Sequence, residues 1–386
     1  MALHFERAEF HDRIARTRTR LAEEKLDAVV LFAQESLYWL TGFDTSGFVF
    51  FQCMVVTADD RPVVLLTRRP DLEQARRTSI IEDIRLWYDA EGADPSRELQ
   101  AILGELGLEG KRVGVETTTH GLTGFNWERV RVRFDGWCRL VPGTDVVRYL
   151  RLVKSPAEIA YVRRAAELAD DSLLAMLAVA KPGAFEGAIA AAGVAAVLAG
   201  GGDMPPSGPV LGSGDRALLV RSSTGYTDLR DQDQLTMEFA GSYRHYCSCL
   251  MRTIAIGRGD ERHRRMFDVT RDAIAAMTAA ARPGNILGQI DDAHRRVYDE
   301  AGYGEKRMSA CGYSLGATFR PSWMDVPPML YSGNRTPCEA GMVLFLHAIL
   351  IDARANLAMS LGHTIVVGPS GAEVLSRLVP DYHVGA

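Results

Sequence analysis

Two stretches of this chain, about 101 residues apart, read alike. Ser172-Leu173-Leu174-Ala175-Met176 leads to Ala180-Lys181-Pro182-Gly183, and Ala273-Ile274-Ala275-Ala276-Met277 leads to Ala281-Arg282-Pro283-Gly284; Gly187 and Ile189 recur as Gly288 and Ile290. The offset is far longer than a solenoid unit, which runs roughly 20 to 50 residues. It therefore predicts one domain built of two related halves, each a helix, a Pro-Gly stop, a second helix and then strands. The entry to this domain is marked by Ser155-Pro156-Ala157-Glu158: a capping Ser, a Pro at the first helical position and a Glu that completes a capping box.

Residues 8–150 follow a different rhythm. A charged amphipathic segment near 10–25 is followed by apolar strand-like runs at 28–32, 54–57 and 61–66, which predict an α/β domain with buried strands. A length of 386 residues also favours two cores over one. The expected class is α+β, with an α/β domain over 1–150 and the duplicated domain over 151–386. The 47% hydrophobic content, 24% charge and net charge of -5 fit a soluble globular protein, with no call for nucleic acid or membrane as partner. Residues 1–7 lack the apolar core of a signal peptide and no apolar run reaches the roughly 20 residues needed to span a bilayer, so a cytoplasmic location is expected. The six cysteines give neither a disulfide framework nor paired CxxC zinc spacing, and reduced thiols are expected.

Polar groups inside apolar strands are the candidates for chemistry. Runs at 235–240 and 246–256 flank Gly241-Ser242-Tyr243-Arg244, which reads as a hairpin turn, with Arg244 and His245 solvated. Glu238 lies within the first run, where an ionised carboxylate is costly unless paired, hydrogen-bonded or protonated. It is either a catalytic carboxylate or a structural one that points outward or satisfies an Arg. Arg252, on the second run, either pairs with Glu238 or holds a substrate carboxylate. His347 and His363 border later strands and are catalysts only if they converge on Glu238. Cys249 reads as a small buried residue before it reads as a nucleophile. The aromatic patch 37–43, with Trp39 and Phe43, is a core loop or a substrate-facing one. The Gly- and aromatic-rich segment 311–323, with Tyr313 and Trp323, lines a pocket or runs over the surface.

The 154–159 helix entry, the duplicated Pro-Gly halves, the hairpin over 238–253, the Gly-rich 311–316 loop and the strands at 340–343 and 363–367 resemble, in order and spacing, the creatinase, prolidase and aminopeptidase P superfamily, whose fold is called pita-bread. The resemblance covers nearly the whole chain. It implies a creatinase-like N-terminal domain, a pita-bread catalytic domain with an internal pseudo-two-fold repeat, and a homodimer. Peptidases of this family hold two metal ions with two Asp, one His and two Glu. The matching positions here are Glu238, Cys249, Tyr313, His347 and Gly362, or its neighbour His363, so one carboxylate of the set survives and no metal or other cofactor is expected. The resemblance is most detailed with the ectoine hydrolases, metal-independent enzymes that open a cyclic amidine. It rests on Met237-Glu238-Phe239-Ala240-Gly241, Tyr243, Tyr246, Arg252-Thr253, Cys311-Gly312-Tyr313, Phe319, Pro321, Trp323 and the stretch 39–44. Where those enzymes carry a His ahead of the hairpin, this chain has Arg221.

The resemblance implies a hydrolase of a non-peptide C–N bond in a small cyclic amidine, amide or amino-acid derivative. Glu238 is expected as general base or nucleophile and His347 or His363 as acid. Arg221 or Arg252 would bind a substrate carboxylate, with Trp39, Phe43, Tyr313 and Trp323 around the substrate. Three alternatives stay open: a lyase or cyclase on a related substrate, a rewired mononuclear metallohydrolase using Glu238, Cys249, His347 and His363, and an inactive binding protein that keeps the fold.

Overall fold

The computed structural model describes residues 3–325 and 327–385, so residues 1 and 2 of the N-terminal stretch read above lie outside them. The chain divides at Arg151 and Leu152 into two compact units.

In the first unit the elements run α1 (Arg7–Glu23), β1 (Ala28–Leu31), α2 (Gln34–Thr41), β2 (Cys53–Thr57), β3 (Val64–Arg68), α3 (Leu72–Thr78), β4 (Asp83–Trp87), α4 (Pro95–Glu105), β5 (Arg112–Val115), α5 (Gly124–Phe134), β6 (Arg139–Pro142) and α6 (Asp145–Arg148). The strands form one mixed sheet in the order β4-β3-β2-β1-β5-β6. Every residue of β1 and β2 is buried, the run expected of strands covered on both faces. The three apolar runs singled out in the sequence are β1, β2 and β3.

The aromatic patch proves to be helix. It forms α2 and its exit, closed by Gly42 in the left-handed region at φ 83°. Leu37, Trp39, Leu40 and Phe43 pack into the core on one face of the sheet, Trp39 and Phe43 at 1% and 0% exposure. Arg13 donates to the Trp39 carbonyl at 2.8 Å and sets its guanidinium 5.0 Å from the Trp39 ring. The expected substrate contacts of Trp39 and Phe43 are therefore corrected: an eight-residue helix buried on nearly all sides leaves its aromatics to packing.

In the second unit follow α7 (Pro156–Val179), α8 (Glu186–Ala199), β7 (Val210–Ser213), β8 (Asp233–Tyr243), β9 (Tyr246–Ile256), α9 (Glu261–Ala280), α10 (Gly288–Glu300), β10 (Gly312–Ser314), β11 (Val343–Asp352), β12 (Leu357–Val367), β13 (Ala372–Val374) and β14 (Val384–Gly385). The capping box is present: Ser155 Oγ accepts the Glu158 amide at 3.2 Å and Glu158 Oε2 accepts the Ser155 amide at 2.9 Å. The other carboxylate oxygen of Glu158 takes the Tyr246 hydroxyl at 2.8 Å, tying the start of α7 to the start of β9.

The repeat in sequence is a repeat in structure. Each half gives two helices separated by a Pro-Gly stop, with Gly183 and Gly284 at φ 77° and 92°, followed by three strands. The sheet order β10-β11-β12-β9-β8-β7 is palindromic about the β12–β9 pair, where the halves join antiparallel. Ile189 and Ile290, the recurring isoleucines, are both fully buried.

Side chains alternate across this sheet and so sort into two sets. Leu235, Met237, Phe239, Leu250 and Ile254 pack with α7 and α8, while Leu344, Leu346, Leu361 and Ile365 pack with α9. The intervening residues, Glu238 and His347 among them, occupy the opposite face. The hairpin turn is tighter than the sequence suggested: β8 runs through Tyr243, and only Arg244 and His245, both at positive φ, make the connection. Neither is simply solvated, since both are half-buried and His245 stacks on Phe319 at 4.2 Å.

Gly241 marks the closest approach of α7 to the sheet. A Cβ there would meet the Ala165 carbonyl at 2.1 Å and the Ala169 amide at 2.6 Å, both backbone. Gly241→Ala is expected to push α7 off β8 and cost at least about 2 kcal/mol, read as a fall in the urea midpoint; a midpoint within error of the parent would show that the helix does not rest there.

Candidate active site

The face of the sheet away from the helices gathers the polar residues. Antiparallel partners share a face, so the register Ala240↔Cys249, Glu238↔Met251↔Gly362↔His347 and Thr364↔Phe345↔Tyr313 places Glu238, Cys249, Gly362, His347 and Tyr313 together. These are the five positions that the family resemblance assigns to metal ligands, and the structure selects Gly362 over His363 for the last.

Glu238 is held by a short chain of donors. The Tyr313 hydroxyl donates to Glu238 Oε1 at 3.2 Å, and the Trp323 indole N–H donates to the Tyr313 oxygen at 2.8 Å. Both aromatics are buried, at 4% and 5% exposure, so the 311–323 segment builds the site and is no surface loop. Gly312–Ser314 pairs with β11 as an edge strand, which is what delivers Tyr313. The Tyr313 ring also lies 5.4 Å from Phe345 and 5.8 Å from His347, centroid to centroid.

Desolvation decides the charges. Burial raises the Glu238 carboxyl to about 7, against the smaller opposing effects of the Tyr313 hydrogen bond and the positive charge of Arg221. Burial lowers His347 to about 4. Near neutrality Glu238 is thus partly a neutral acid and His347 a neutral base. Arg221 sits on an exposed loop, yet its charge reaches both groups. Burial holds the Cys249 thiol well above its usual value, against its use as a nucleophile, and does the same to the Tyr313 phenol.

Two expected site residues lie on the other face. His363 pairs with Leu250 and Leu346, and its Nε2 meets the Thr278 hydroxyl of α9 at 3.1 Å. Arg252 pairs with Met237 and Leu361, and its Nη1 donates to the carbonyls of Met251 at 2.8 Å and Gly362 at 2.7 Å. Neither the His363 catalytic role nor either expected role of Arg252, pairing with Glu238 or holding a substrate carboxylate, survives, because one residue of register moves a side chain to the opposite face. The same alternation removes His363 from the alternative metal site with Glu238, Cys249 and His347.

The family's pair of metal ions finds a poor fit in these side chains. Hard divalent cations in a dinuclear site need several carboxylates, and this set offers one carboxyl, an uncharged thiol, an uncharged phenol, one imidazole and a glycine. A Cβ on Gly362 would meet Phe345 Cζ at 2.6 Å and Met251 Cβ at 2.9 Å, so the space for an acidic side chain there is filled.

One group escaped the sequence reading. Asp291 and His294, one turn apart on α10, are both buried and lie with Cys311 within 4.8 Å of one another. The available signal was an Asp-x-x-His spacing on the inward face of an amphipathic helix.

The sequence matches two family descriptions: metallopeptidase family M24 over residues 160–369 and the creatinase/prolidase N-terminal domain over 13–153. An ectoine hydrolase of Halomonas elongata is 24% identical over 393 residues, covering 97% of each chain. A Xaa-Pro dipeptidase of Pyrococcus furiosus is 24% identical over 233 residues, 60% of this chain and 65% of its own length. The crystal structure of dipeptidase PepE from Mycobacterium ulcerans superposes with a TM-score of 0.86 at 23% identity, over 98% of this chain and 99% of its own.

A carboxyl raised in the folded state stabilises below its unfolded value and loses that contribution as pH rises through its folded value. For Glu238 the window runs from about 4.5 to about 7. Glu238→Gln removes the ionisation, and at pH 8 it is expected to raise stability by up to about 3 kcal/mol while leaving stability near pH 4 unchanged. Thermal melts at the two pH values check this; a variant equally or less stable at pH 8 would show that the carboxylate is well solvated.

Proposed function

This chain belongs to metallopeptidase family M24, and from that premise we propose that it is a metal-independent hydrolase of a C–N bond in a small cyclic amidine or amide, of the ectoine hydrolase kind. The observation that carries the proposal is the donor set itself: one carboxyl with a raised affinity for protons and, on the same sheet face, an imidazole with a lowered one, both beside Tyr313, where peptidase relatives would need a cluster of anions. Near-full-length similarity to an ectoine hydrolase supports the substrate class.

The electrostatics reverse the roles expected from sequence. A histidine lowered to about 4 has almost no proton to give at neutral pH, while a carboxyl raised to about 7 still holds its proton in about half of the molecules. Pairs of groups pushed apart in this way reveal the acid and the base. His347 takes a proton from water as the water oxygen bonds to the trigonal carbon of the substrate. Protonated Glu238 gives its proton to the leaving nitrogen as the C–N bond breaks, with Tyr313 hydrogen-bonded to the carboxylate that forms. Arg221 supplies a fork of donors for a substrate carboxylate. Once the products leave, the proton held by His347 passes through solvent to the Glu238 carboxylate, which restores both groups.

Activity then requires Glu238 protonated and His347 neutral. The expected kcat/KM profile for ectoine or a related cyclic amidine has an acid limb near 4 and a basic limb near 7, with its optimum on the acid side of neutrality. Turnover should survive exhaustive chelation, fall at least about 10³-fold in Glu238→Gln, and be little changed in His363→Gln. Activity abolished by chelation and restored by a divalent cation, or hydrolysis of Xaa-Pro dipeptides in preference to cyclic amidines, would overturn the reading.

A further inference from the structure

Among the described residues, two imidazole nitrogens are buried without a hydrogen-bond partner: His347 Nδ1 on β11 and His294 Nε2 on α10. They belong to one neighbourhood. The His347 amide donates to the Cys311 carbonyl at 2.9 Å, and the Cys311 thiol lies within 4.8 Å of polar side-chain atoms of both Asp291 and His294. Orphaned buried nitrogens are rare enough that two beside the same Cys311 point to a contact they share.

Asp291 sets the polarity of that contact. Its Oδ1 lies 3.3 Å from His294 Nδ1, and the carboxylate also accepts Arg307 Nη1 at 3.2 Å and the Ser332 amide at 3.0 Å. Two acceptors facing each other would repel, so Nδ1 carries a proton toward Asp291, and in the neutral ring Nε2 keeps a lone pair. Tyr298 stands edge-on to the His294 ring at 4.8 Å and fixes its plane.

Asp291, His294 and Cys311 also have the chemistry of a metal-binding group. Arg307 argues against that use: its Nη1 is 3.2 Å from both Asp291 Oδ1 and His294 Nδ1, so a fixed guanidinium already stands where a cation would. Burial further holds the Cys311 thiol in its protonated form, which is no ligand.

We infer that Asp291 and His294 are a positioning pair behind His347. His294 Nε2 accepts a hydrogen bond from His347 Nδ1–H through one buried water, and thereby fixes the tautomer that leaves the His347 Nε2 lone pair for the reaction. The inference deepens the reading of His347 as the base and rests on it for its purpose, but the tautomer exists without substrate.

Long-range ¹H–¹⁵N spectra of the histidine-labelled full chain at neutral pH test it, with the His347 signals identified by their loss in His347→Gln. His347 should show a protonated Nδ1 and an unprotonated Nε2. His294→Gln, whose amide oxygen still accepts, should keep that pattern; His294→Leu should lose it to a mixture or to the Nε2–H form. A protonated Nε2 in the parent protein, or a His347 signal unmoved in His294→Leu, overturns the inference. So does stoichiometric zinc whose removal by a chelator shifts both histidines. Should His294→Leu fail to fold, the parent and His294→Gln spectra decide alone. Because no substrate is used, these outcomes are separable from failure of the proposed hydrolysis.

Discussion

Three register pairs, Leu250↔His363, Met251↔Gly362 and Arg252↔Leu361, join the two halves into one sheet. All else in the second unit depends on that seam. Because side chains alternate strictly along a strand, the seam assigns every residue of four strands to one of two faces. One face becomes the floor for α7, α8 and α9, and its apolar residues form two continuous cores with the helices. The other collects Glu238 from one half and Tyr313 and His347 from the other, so neither half alone could assemble the site.

On that second face, desolvation outweighs every pairwise interaction offered to Glu238. The Tyr313 hydrogen bond and the Arg221 charge both favour the carboxylate, yet burial prevails and the proton is held more tightly than in water. The same loss of solvent makes His347 harder to protonate. A single low-polarity environment thus separates two groups that would otherwise titrate in the opposite order. A site that keeps one carboxyl among the family's ligand positions has no anionic cluster for a metal charge to offset.

The backbone is nearly that of a dipeptidase, as the TM-score of 0.86 shows, while the five positions that the family gives to metal ligands share one sheet face. Those positions can vary without changing the fold because the β8–β9 and β11–β12 hairpins are set by packing against helices on the far side, which leaves the near side open to substitution. Gly362 illustrates the limit of that freedom: with the Phe345 ring occupying the adjacent space, restoring an acidic residue would demand a second change.

Much of this was legible in the chain itself. The repeated Pro-Gly stops, the Ser155 capping box and the β1 to β3 runs are local signals, read from residues a few positions apart, and the structure contains each of them. Glu238 stood out for the same reason, as a carboxyl within an apolar run. What the linear order left open was the company each residue keeps. His363 and Arg252 looked as eligible as His347, Trp39 and Phe43 as eligible as Tyr313 and Trp323, and Asp291 and His294 drew no notice. Hydrophobic period and capping depend on sequence separation alone, whereas the face a side chain occupies depends on a register set by strands more than 100 residues apart, and only the folded sheet decides it.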